Sequence, residues 1–142
     1  MKKIWIIVAI ACVIFILIQS ILPENKSANE SRWFTTYLVN PVLSIFGIKT
    51  DKDTVRKIAH IVEFCILSSF VFLLLKKKSG KTCYAIIRTF YTGFTIAFLD
   101  ESLQILTRRG ALVTDIWIDI VGVFIGIFVG LMSDIIIDLK GR

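Results

Sequence analysis

Asp115 to Ile137 reads DIWIDIVGVFIGIFVGLMSDIII. From Ile116 onward this apolar run is long enough to cross the ~30 Å hydrocarbon core of a bilayer, which takes ~20 helical residues. Gly122, Gly126 and Gly130 recur every fourth residue, so they fall on one helical face and form a ridge on which a neighbouring helix can pack closely. Asp115 and Asp119 share that face. A charged side chain within a span costs ~2.5–3.5 kcal/mol on insertion scales, which turns this face toward protein or a water-filled site rather than lipid. The stretch therefore reads as one helix of a packed membrane bundle.

Three further apolar runs precede it. Tyr84 to about Leu106 crosses Arg88 and turns polar at Asp100-Glu101; Ile58 to Leu75 is opened by Asp53-Thr54-Val55-Arg56-Lys57, with Asp53 or Thr54 as expected N-cap, and closed by Lys76-Lys77-Lys78; Ile4 to Leu22 ends at Pro23. A signal peptide would have an apolar region of about 7–15 residues and a small-x-small cleavage site. Gln19-Ser20-Ile21-Leu22-Pro23 offers none, so the first run is expected to be a retained anchor. The expected fold class is an all-α integral membrane protein, a bundle of four transmembrane helices near 4–22, 55–76, 82–106 and 113–138, forming one domain over 1–142. Between the first two spans, 23–54 carries Trp33, Tyr37 and a short apolar stretch, read either as a segment at the membrane interface or as a loop with scattered apolar residues.

Composition agrees. Of the 142 residues 56% are hydrophobic and mean hydropathy is +0.78, more apolar surface than one water-soluble core of this length buries. The net charge of +6 would suit a nucleic-acid binder in a soluble chain, but the lysines stand at the ends of apolar runs, as topology signals do, and no nucleic-acid partner is expected. Cys12, Cys65 and Cys83 have neither C-x-x-C spacing nor even pairing, so no disulfide framework or thiolate metal site follows. With the N-terminus inside, the cytoplasmic side carries Lys2 and Lys3, the acid-free loop Lys76, Lys77, Lys78 and Lys81 with Arg88, and the tail Lys140 and Arg142, so both termini are expected in the cytoplasm.

This orientation gathers the unusual polar residues on the outer side. Arg56, His60 and Glu63 lie within ~60° on the second helix at ~100° per residue, with Lys57 on the flank. Asp100, Glu101, Gln104 and Arg108 occupy a ~100° arc of the third, continued inward by Ala97 and Gly93. At ~1.5 Å per residue, Glu63, Asp100 and Asp119 come out about 6–9 Å below the outer ends of their runs. Charges at such depth persist where they pair, face water or bind something. His60, Glu63, Glu101, Asp115 and Asp119 have donor atoms for a divalent cation, but their spacing along the chain matches no metal motif, and no metal is expected.

Arg56-Lys57-Ile58-Ala59-His60-Ile61-Val62-Glu63-Phe64 resembles the R-K-x-x-H-x-x-E-[YF] signature of the VanZ-like family of bacterial membrane proteins. Asp100-Glu101-Ser102-Leu103-Gln104 resembles its D-E-x-x-Q signature, followed by Arg109-Gly110-Ala111 and Asp115-Ile116-Trp117-Ile118-Asp119, then Gly122 and Gly126. Asp119 stands where many members have Asn, and Arg108 where Gly is frequent. The resemblance implies a multi-span protein of the bacterial cytoplasmic membrane associated with resistance to teicoplanin and related lipoglycopeptides; it brings no defined reaction and no known cofactor. Two readings follow. In the first, an enzyme acts on an envelope lipid or lipid-linked cell-wall precursor at the outer face, with His60, Glu63, Asp100, Glu101, Asp115 and Asp119 as candidate catalytic residues and Arg56, Lys57, Gln104, Arg108 and Arg109 as candidate substrate-binding residues. In the second, a non-catalytic protein binds a lipid head group or a partner. A homo-oligomer is compatible with either.

Overall fold

The computed structural model describes residues 2–21, 52–107 and 115–140. They form four helices: α1 (Lys2–Ile21), α2 (Lys52–Ser79), α3 (Thr82–Leu106) and α4 (Asp115–Lys140). Residues 23–51 of the connection whose reading the sequence left open, and Arg108 and Arg109, lie outside the described residues.

The helices follow the apolar runs but α2 extends past both ends of its own. It begins at Lys52, so Asp53 and Thr54 belong to its first turn instead of capping it. At the other end Lys76, Lys77 and Lys78 are helical, since lysine is a good helix former. The helix stops where Gly80 adopts φ 69°, a left-handed conformation that glycine reaches without a Cβ penalty; its N–H donates to the Lys76 carbonyl at 2.8 Å. Lys76 Nζ donates to Thr82 Oγ1 at 2.7 Å and pairs with Asp134 at 3.5 Å, tying the α2–α3 turn to the far end of α4.

Both α2 and α3 pack against all three other helices, and α1 lies against these two. The glycine ridge of α4 is turned to α2. A Cβ at Gly122 would sit 2.6 Å from the Ile61 carbonyl oxygen, and one at Gly126 would run into the Cys65 carbonyl oxygen and come within 2.8 Å of Ser68 Cβ. Ser69 of α2 donates to the Gly126 carbonyl at 3.0 Å. Gly93 does the same for α3, where a Cβ would stand 2.5 Å from Val123. Phe64, Leu67, Phe72, Ala85, Ala97 and Val123 fill the space between.

The outer faces are apolar, with Phe98, Trp117, Phe124 and Phe128 at least half exposed, a surface that a lipid-embedded bundle presents and a soluble monomer avoids. Two helices, over Thr54–Ser79 and Asp115–Lys140, are long and apolar enough to cross a membrane. The apolar part described for α1, Ile6–Ile21, is shorter, and α3 carries Arg88, Asp100 and Glu101 within its length.

Candidate functional site

The start of α2, the end of α3, the start of α4 and the end of α1 meet at one end of the bundle, where Arg56 and His60 of α2 reach Asp115 and Asp119 of α4 and Asp100 of α3, and Ser20 of α1 reaches Asp100. The glycines set the spacing there. Gly122 lets α4 approach the α2 backbone at Ile61, and one residue before Ile61, one turn before Gly122, His60 faces Asp119. His60 Nδ1 lies 3.2 Å from Asp119 Oδ1 and 3.6 Å from Asp100 Oδ2. One imidazole thus bridges carboxylates from two helices.

Asp100 is held from two sides: Gln104 Nε2, one turn on, donates to Oδ2 at 2.9 Å, and the Ser20 hydroxyl of α1 donates to Oδ1. The Thr107 hydroxyl reaches the Ser20 carbonyl at 3.2 Å, which fastens the end of α1 to the end of α3. Nearer the surface, Arg56 Nη2 pairs with Asp115 Oδ2 at 3.5 Å. Asp100, Glu101 and Asp119 are each 1% exposed, and neither carboxylate oxygen of Glu101 has a hydrogen-bond partner. Such groups are costly to bury unless something compensates their charge.

A cleft opens onto this cluster. Arg56, Lys57, His60, Glu101, Gln104, Asp115, Ile118 and Asp119 line it, and it encloses about 220 Å³ including its open mouth. Its inner part has room for little more than a water or a bare ion. All of these lining residues but Ile118 are candidate residues read from the sequence, and Asp100 adjoins the cleft through His60. Glu63, half-buried and one turn deeper on α2, is not among the lining residues. Ser20 and Ile118 were not legible as site residues. Ser20 is a lone hydroxyl at the edge of an apolar run, with nothing in its neighbours to separate it from a helix end; Ile118 is one apolar residue of an apolar span, and only its position between Asp115 and Asp119 brings it to the cleft.

Chemically, an imidazole between two carboxylates can take up and return a proton, the carboxylates can hold a cation, and Arg56 and Lys57 at the mouth can meet a phosphate. Among models of known families, the one described as VanZ/LLP1 matches residues 5–136. No curated protein and no solved structure matches the chain.

Proposed function

The chain belongs to the VanZ/LLP1 family, and from that premise we propose that it is a multi-pass protein of the bacterial cytoplasmic membrane whose cleft engages the phosphate of an envelope lipid or lipid-linked cell-wall component at the outer face, lowering susceptibility to teicoplanin and related lipoglycopeptides. All four helices cross the bilayer in this reading, with both termini cytoplasmic. The observation that carries it is the order of charge along the cleft. Arg56 and the exposed Lys57 stand at its mouth, and Glu101 and Asp119 are buried beneath them. An anionic group rests on the basic rim, and the inner space, too small for a head group, is left to water, a proton or an ion. His60 is placed to act as acid or base on whatever sits at that rim.

The phosphate contact is tested by native mass spectrometry of the purified protein with phosphatidylglycerol and phosphatidylcholine. Wild type is expected to retain the anionic lipid preferentially. The double variant Arg56→Ala, Lys57→Ala is expected to lose that retention by about tenfold or more, since charge-assisted hydrogen bonds contribute ~1.5–3 kcal/mol. Equal retention by both proteins overturns the phosphate reading.

Orientation is tested separately by labelling from outside the cell. A cysteine placed as Ser27→Cys is expected to react with an impermeant maleimide, and one placed as Lys78→Cys to stay unlabelled, in a background where Cys83 is replaced. The reverse pattern puts the cleft on the cytoplasmic side.

A further inference from the structure

We propose that His60, Asp100 and Asp119 bind a divalent transition-metal ion of the Mn²⁺ or Zn²⁺ type, with Glu101 closing on it from the cleft wall. No metal motif is legible along the chain because the ligands sit on three helices, and folding brings them together. One donor atom from each of His60, Asp100 and Asp119 lies within 4.8 Å of the others. Around an ion with N and O ligands at ~2.1 Å, tetrahedral ligands stand about 3.4 Å apart. The distances from His60 Nδ1, 3.2 and 3.6 Å, bracket that value.

A proton accounts for only one of the two contacts. Nδ1 carries one proton and can serve the Asp119 carboxylate at 3.2 Å, which leaves Asp100 at 3.6 Å without a share in it. Glu101 points to the same ligand independently. It is 1% exposed, both its oxygens lack a hydrogen-bond partner, and it lines the cleft with His60 and Asp119. Asp100 has the surroundings of a metal ligand too: Gln104 and Ser20 donate to its two oxygens, the outer-shell fixing that orients coordinating carboxylates. An imidazole beside carboxylates favours Mn²⁺ or Zn²⁺, where carboxylates alone favour Mg²⁺ or Ca²⁺. Bound there, the ion neutralises the buried acids and sits beneath the basic mouth.

Metal content is measured with no lipid added, so this inference and the lipid reading stand or fall separately. Protein purified in detergent and stripped with a chelator is titrated with Mn²⁺, Zn²⁺, Mg²⁺ and Ca²⁺, following bound metal by mass spectrometry and melting by thermal shift. Wild type is expected to bind one Mn²⁺ or Zn²⁺ per chain with a raised Tm, and Mg²⁺ and Ca²⁺ at least about tenfold more weakly. Gln104→Ala is expected to weaken binding about 10–100-fold, Asp119→Asn to abolish it, and Asp134→Asn, at the opposite end of α4, to leave it unchanged. Absence of stoichiometric binding by wild type overturns the site whatever the variants do, as does undiminished binding by a folded Asp119→Asn protein.

Discussion

Gly126→Leu is expected to empty the membrane of folded protein. A single Cβ at this position already runs into the Cys65 carbonyl oxygen and approaches Ser68 Cβ at 2.8 Å. The first obstacle is backbone, which cannot rotate away, so α2 and α4 must move apart. Overpacking ordinarily costs ~1–3 kcal/mol; with three more carbons behind the Cβ and no rotamer to retreat to, the cost here reaches or exceeds the top of that range. Separation of the helices also removes the Ser69 bond to the Gly126 carbonyl. Membrane proteins have few kcal/mol in reserve, and abundance and Tm in detergent should fall together. Phe128→Leu, two residues on and 59% exposed, is the matched control and is expected to stay within about 0.5 kcal/mol of wild type. A Gly126→Leu protein as abundant and as stable as that control means the ridge does not carry the α2–α4 contact.

The ridge was legible in the sequence because glycine at every fourth position has a direct spatial meaning on a helix. The same holds for the shared face of Asp119 with Gly122 and for that of Asp100 and Gln104 with Ala97, all of which are buried together. Helix ends were less legible. Hydropathy locates where a helix meets lipid, and α2 continues beyond that point into lysines that remain helical until Gly80. Depth reckoned along single helices put Glu63 level with Asp100 and Asp119; packing instead sets His60 against the two aspartates and leaves Glu63 one turn below. Ser20 entered through tertiary contact alone, from a helix whose sequence marks it only as an anchor.

Asp119→Asn is expected to abolish the proposed effect on teicoplanin susceptibility while the protein accumulates normally. The substitution keeps shape and keeps an acceptor for His60, but removes the charge that a bound cation or proton requires. His60 is 24% exposed at its side chain and borders an open cleft, so water can resolvate it when its partner is neutralised. Were the cluster instead a sealed ion pair holding the bundle together, removing one partner would cost ~3–5 kcal/mol, as large as the Gly126 defect. His60→Ala should follow Asp119→Asn, losing function without losing abundance. The deciding measurement is the ratio of teicoplanin protection to membrane abundance for Asp119→Asn, His60→Ala and Gly126→Leu expressed in one host. A functional centre predicts protection at the level of the empty host for the first two with abundance near wild type, and loss of both for Gly126→Leu. If Asp119→Asn and His60→Ala disappear from the membrane as completely as Gly126→Leu, or protect as well as wild type, the polar cluster is not a functional centre.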